Sequence, residues 1–210
     1  MKGSKLFFLN AVIFFIFFQS NSIAQETILS PAAQKEARLK KAEPRMIYPF
    51  IKGATMYSGV LPVNTITNAA DYPNAYKLVF DFSVAKTEDL KNGKASMGIE
   101  ELIRIINLHK AAGIPENRLD IAVIIHGPAT PTFLNNETYI KQFGIKNPNL
   151  DLIRQLQEKG VVFTVCGQTL QFRELEMPQL VTGMQKSFSA RTALSTYQLK
   201  GYILFPIEID

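Results

Sequence analysis

The sequence predicts an α/β fold, a three-layer α/β/α domain built on a five-stranded, mainly parallel sheet. From residue 76 onward, apolar or β-branched runs of strand length alternate with segments of helical period. One run, LDIAVII at 119–125, is almost continuously apolar, as a strand covered on both faces requires. The joining segments are short, which favours right-handed crossovers between parallel strands. The 210 residues, 47% hydrophobic and 20% charged, suffice for one such domain and a contiguous core.

The elements follow in chain order. Met1–Lys5 carries Lys2 and Lys5, and Leu6–Phe18 is apolar apart from Asn10, the pattern of a signal peptide over 1–24. Cleavage is expected after Ala24, giving a periplasmic or otherwise exported chain beginning at Gln25. The apolar run falls short of the ~18–20 residues that span a bilayer, so no permanent membrane anchor is expected. Residues 25–74 read as an N-terminal helix and an irregular lead-in. PAAQKEARLKKA (31–42) has helix-forming composition with a thin apolar face, and 44–74 is rich in proline, glycine and aromatics, with room for a small hairpin.

The α/β domain, 75–210, opens with a strand at Tyr76–Val84. Ser96 then caps a helix whose Ile99, Leu102, Ile103 and Ile106 share one face, while Glu100, Glu101, Arg104 and Asn107 turn away. On that helix His109 reads as a surface histidine, and Gly113 ends it. LDIAVII follows and stops at His126-Gly127-Pro128. A second helix reads with Asn147 as N-cap, Pro148 as its first residue, Leu150, Ile153 and Leu156 on one face, and Gly160 past its end. After the run VVFTV (161–165) come a short irregular crossover, a strand at 184–188, a helix at 190–200 capped by Ser189 and closed by Gly201, and a last strand at Tyr202–Ile207. Pro206 suggests that this strand lies at or near an edge or frays at its end.

Charge and motif content exclude several classes. Lys and Arg number 23 against 18 Asp and Glu, a net +5 that drops to +3 once Lys2 and Lys5 are removed. The densest basic stretch, KEARLKKAEPR at 35–45, contains two glutamates and no aromatics, so it reads as a solvated helix and no nucleic-acid partner is expected. A lone cysteine cannot form a disulfide within its own chain, so stability must come from the core. Two histidines and one cysteine are too few for a structural zinc site, and there is no phosphate-loop lysine pattern and no G-x-S-x-G. Neither metal nor cofactor is expected.

In open α/β sheets ligands gather at the carboxyl ends of the strands. His126 ends LDIAVII and Cys166 ends VVFTV; if these strands are neighbours, imidazole and thiol share one rim. A helix starting near Gly167–Leu170 would aim its free N–H groups at the sulfur, and His126 would take its proton, both favouring a thiolate. On this reading Gly127 shapes the turn after His126, Gly167 keeps the sulfur approachable, Gln168 and Thr169 donate hydrogen bonds to a bound anion or persulfide, and Arg191, just after the Ser189 cap, holds an anion at a helix start. Asp81 reads as a surface or capping residue. The competing reading makes Cys166 a packed apolar side chain and His126 a strand-end residue bonded to loop backbone.

IIHGPAT (124–130), NPNLDLIRQLQEKGV with FTVCGQTL (147–170) and SARTALSTYQLKGYILFP (189–206) together resemble the exported branch of the DsrE/DsrF-like family. YPFIKG, YKLVFDF and LIRIINLHKAAGIP extend the resemblance from about Tyr48 to the end. It implies a five-stranded parallel sheet between helices and assembly as a homo-oligomer, a trimer or hexamer. It also implies a persulfide-carrying cysteine at the end of the third strand, where Cys166 falls, with a sulfur donor or acceptor protein as partner. The expectation is therefore an exported sulfurtransferase or persulfide carrier acting through Cys166 and His126. Two alternatives stand beside it: a non-catalytic module binding a small ligand or a protein, and a structural oligomer.

Overall fold

A computed structural model describes residues 30–209. The expected signal peptide, its cleavage after Ala24 and the first mature residues lie outside the described residues. Among those described, no helix is long and apolar enough to cross a membrane.

Five strands form the sheet: β1 (Tyr76–Phe82), β2 (Leu119–Ile125), β3 (Val162–Cys166), β4 (Gln185–Ser187) and β5 (Ile203–Pro206). Their order is β4-β3-β2-β1-β5, and every pairing is parallel. The apolar run LDIAVII thus sits between β1 and β3, and the proline-containing β5 lies at an edge, where a missing ladder donor is tolerated.

The helices are α1 (Pro31–Ala42), α2 (Thr87–Lys91), α3 (Met97–Ala111), α4 (Asn136–Phe143), α5 (Leu150–Glu158), α6 (Gly167–Phe172) and α7 (Ala190–Leu199). Alternation along the strands sends Leu78, Phe80, Phe82, Ile121, Val123, Ile125, Phe163 and Val165 into one large core. It is closed by Ile99, Leu102, Ile103 and Ile106 of α3 and by Leu152, Ile153 and Leu156 of α5. Val79, Ala122, Ile124 and Cys166 face the other way, into a smaller cluster under Ala190 and Ala193 of α7. Gly98 makes the first layer possible. A Cβ there would stand 2.4 Å from Cε2 of Phe82, so only glycine lets the start of α3 close on the end of β1.

Several elements differ from the sequence expectation. The second helix starts at Leu150 after Asn149, not at Pro148 after Asn147. Asn147 is buried instead, donating to the carbonyls of Thr132 and Leu134 and accepting from the amide of Asn149. The side chain of Asn149 accepts from the amide of Ser96, which ties α5 to the start of α3. The short helix α2 and the helix α4, capped by Asn135 and ended by Gly144, were not expected, whereas the helix expected from Gly167 is present as the six-residue α6, with an irregular stretch after it.

The largest correction concerns α3. Glu100 and Asn107 do not turn away to solvent; both are fully buried, because the lead-in folds over the outer side of the helix. Ile47 and Val60 form an antiparallel bridge that closes this segment. Asn107 accepts from the amides of Phe50 and Ile51 and donates to the carbonyls of Ile51 and Ser58. Glu100 Oε1 accepts from the amides of Ala54 and Thr55 at 2.8 and 3.2 Å. Burial raises the Glu100 carboxyl above its ordinary pKa, only partly offset by these amides. His109 is likewise no plain surface residue: its Nδ1 lies 2.8 Å from the carbonyl of Ile105, and its ring meets Tyr76 and Phe205 edge-on.

Candidate functional site

The carboxyl ends of β1, β2 and β3 carry polar groups on the face covered by α7. Register pairs Phe82 with Ile125 and Ile125 with Val165, so the next residue on β2, His126, lies beside Cys166. His126 keeps extended backbone (φ −157°, ψ 173°), and its amide donates to the carbonyl of Phe82. Its side chain therefore continues the face of Ala122 and Ile124, as Cys166 continues that of Thr164 and Asp81 that of Val79. Asp81, His126 and Cys166 thus occupy the ends of three adjacent strands on one face, in that order.

Cys166 is both packed and polar. It is 5% exposed and belongs to the small apolar cluster under α7. At the same time it caps α6, its sulfur accepting from the amide of Thr169 at 3.4 Å. The Thr169 hydroxyl and the amides of Gln168 and Ala190 lie near enough to favour the thiolate, so the starts of α6 and α7 both act on the sulfur. Burial pushes the thiol up. The Thr169 hydroxyl and then the three amides pull it down further, and the net pKa lies below the ordinary thiol value.

The neighbouring residues fix this arrangement. The Gly127 amide donates to Thr169 Oγ1 at 3.2 Å, so one hydroxyl joins the loop after β2 to the thiol. Gly127 has φ +56°, a left-handed conformation that turns the chain sharply after His126. Gly167 works by packing rather than by conformational freedom: a Cβ there would meet the Ser187 carbonyl oxygen at 2.7 Å. Its absence lets α6 start directly against the end of β4. Ser189 caps α7 through the amide of Thr192, presenting the Ala190 amide to the sulfur.

Not every expected residue joins the cluster. The Gln168 and Arg191 side chains are exposed, and neither has a hydrogen bond or ion pair among the described residues; Gln168 serves through its backbone. Gly167, Gln168 and Lys186 line an adjacent cleft of about 610 Å³ bordered by Met177 and by the exposed ring of Phe188. No hydrogen bond links His126 to Cys166. The imidazole Nε2 instead lies 2.7 Å from Asp81 Oδ1, each side chain a little under one-third exposed. Asp81 is the residue that sequence reasoning missed. The one signal available was a lone acid, DFS, near the end of an otherwise apolar strand. Among the described residues no group of three or more His, Cys, Asp or Glu is placed to hold a metal ion.

No curated protein matches the chain. Among solved structures it is similar to a protein of unknown function, MTH1491, from Methanobacterium thermoautotrophicum: 16% identity, TM-score 0.45, covering 62% of this chain and 98% of that one. It is also similar to the ychN protein from E. coli, at 17% identity and a TM-score of 0.44, covering 62% of this chain and 97% of that one. The model of the DsrE/DsrF-like family matches residues 77–206, from β1 through β5 and including the Asp81, His126 and Cys166 rim, and the chain belongs to that family.

Proposed function

We propose that this chain is an exported member of its family that takes up and passes on sulfane sulfur as a persulfide on Cys166. The observation that carries the reading is the place of the Cys166 sulfur at the start of α6, where it accepts from the Thr169 amide at 3.4 Å and where the Thr169 hydroxyl and the Gln168 and Ala190 amides help hold its pKa below the ordinary value. Such a set of donors favours a thiolate and then the anionic terminal sulfur of a persulfide. In the step proposed, the Cys166 thiolate attacks the outer sulfur of a hydropersulfide or polysulfide. The Sγ–S bond forms as the donor S–S bond breaks, the electron pair leaves with the donor thiolate, and that thiolate takes the proton the thiol released. No external oxidant or reductant enters the balance. Export rests on the apolar run at 6–18 and the small residues before Gln25. Assembly as a trimer or hexamer, and a protein donor or acceptor, belong to the same proposal.

The test is intact-mass spectrometry after incubation with inorganic polysulfide. Wild-type chain should gain sulfur that dithiothreitol removes, and Cys166→Ser should gain none. Absence of any adduct on folded wild type refutes the reading. The 5% exposure of Cys166 and its place among Val79, Ile124 and Ala193 favour a second reading, a packed cysteine beneath a ligand-binding rim. That reading predicts the same absence.

A further inference from the structure

We infer that Asp81 is the positioning residue that makes His126 the proton carrier of the site, an inference that rests on the persulfide reading of Cys166. The three residues end β1, β2 and β3 on one face, and neighbouring strands lie ~4.8 Å apart, so His126 stands on the strand between those of Asp81 and Cys166. The 2.7 Å contact joins Asp81 Oδ1 to Nε2 of the ring. An ionised carboxylate only accepts, so Nε2 carries the hydrogen and donates it. In a neutral imidazole the other nitrogen, Nδ1, then holds the lone pair. Asp81 thereby selects the tautomer in which Nδ1 is a base, and that nitrogen bonds no other group among the described residues.

The rest of the rim holds the ring in place. The His126 amide is tied to Phe82, the following Gly127 amide to the Thr169 hydroxyl, and the Thr169 amide to the Cys166 sulfur. In sulfur uptake the Cys166 S–H proton passes to Nδ1, directly or through one water, as the thiolate attacks. The imidazolium, stabilised by Asp81, then returns that proton to the departing donor thiolate. One proton leaves the thiol and one reaches the leaving group, so the ring ends as it began.

The experiment uses the folded chain and three variants, Asp81→Asn, Asp81→Glu and His126→Ala, with inorganic polysulfide as the probe. Asp81→Asn offers an amide N–H to Nε2 and drives the ring hydrogen to Nδ1. Sulfur uptake should slow about 100-fold, the low end of the range for losing a positioned base. Asp81→Glu retains a carboxylate acceptor and should recover most of the rate. Nitrogen-15 NMR should show the Nε2–H tautomer of His126 in wild type and Nδ1–H in Asp81→Asn. Adding Asp81→Asn to His126→Ala should slow the reaction no further, since a residue acting through another loses its effect with it. An Nδ1–H tautomer in wild type, an unchanged rate in Asp81→Asn, or additive losses in the double variant each overturn the inference. If wild type takes up no sulfur, the persulfide reading fails on its own. The tautomer and the iodoacetamide rate at Cys166 in the same variants then still decide the role of Asp81.

Discussion

Replacing Thr169 with valine keeps the shape of the side chain and removes its hydroxyl. In the structure that hydroxyl accepts from the Gly127 amide at 3.2 Å and lies near enough to the Cys166 sulfur to lower the thiol pKa. A hydrogen bond to a charged group contributes roughly 1.5–3 kcal/mol, and the lower figure suits a sulfur that keeps the Thr169 amide as a donor. About 1.4 kcal/mol corresponds to a tenfold change in an ionisation equilibrium, so the ionisation constant of the thiol should fall about tenfold and its pKa should rise accordingly. The assay is the ultraviolet absorption of the thiolate followed against pH on native protein, with circular dichroism confirming the fold. Thr169→Ser, which restores the hydroxyl, should return the titration most of the way to wild type. An unchanged titration in Thr169→Val, with the fold intact, would show that the hydroxyl only braces the Gly127 loop and that the thiol owes nothing to it.

Gly167→Ala should cost about 1–3 kcal/mol in urea unfolding, because its Cβ would press on the Ser187 and Phe188 carbonyls, and it should also raise the thiol pKa by moving α6 off the sulfur. Gly98→Ala should cost a similar amount by forcing the start of α3 off the Phe82 ring, while leaving the thiol titration unmoved. Glu100 gives a pH dependence of stability. Its folded pKa is raised, so the native state holds a proton the unfolded chain has released. That contribution is complete below the unfolded carboxyl value, near 4.5, and is lost as pH rises through the folded value. Glu100→Gln, which stays neutral, should lack this decline, and urea midpoints of the two proteins measured between acid and neutral pH should diverge in favour of the variant as pH increases.

Where burial is decided by a strand's own composition, the sequence was enough. LDIAVII read as a strand covered on both faces, and Pro206 suggested a last strand at or near an edge or fraying at its end; the order β4-β3-β2-β1-β5 puts the first inside the sheet and the last at its edge. Ser96 and Ser189 announced their helices because a hydroxyl accepting from the first turn is a local matter. Helix α4 escaped because Tyr139 is its only buried residue and Ile140 is exposed, which leaves little apolar period to read. Asn147 and Asn149 are chemically equivalent as caps, and the choice between them is made by distant carbonyls at Thr132 and Leu134. Glu100 and Asn107 stand seven residues apart on the side of α3 away from the core. They read as a solvent face because the backbone that covers them comes from about fifty residues earlier.

The site divides the same way. Cys166 and His126 fell on strand ends and were visible as such, and their shared rim followed once β2 and β3 were neighbours. The partners of the sulfur were harder to foresee. Thr169 and the start of α6 lie next in sequence, but the Ala190 amide, which also lowers the thiol pKa, belongs to a helix more than twenty residues away. Asp81 became part of the rim only through the pairing of β1 with β2. Arg191, placed beside the same helix start by sequence, is exposed and stays without a partner among the described residues.

The most direct test of Cys166 as a held thiolate rather than a packed side chain is its rate of alkylation by iodoacetamide across pH, measured on the native chain and on the same chain unfolded in urea. The account predicts that the native thiol reacts with an apparent pKa below that of the unfolded chain, despite its burial. A native thiol that reacts only as fast as the protein unfolds, or whose pKa lies above the unfolded value, would contradict it.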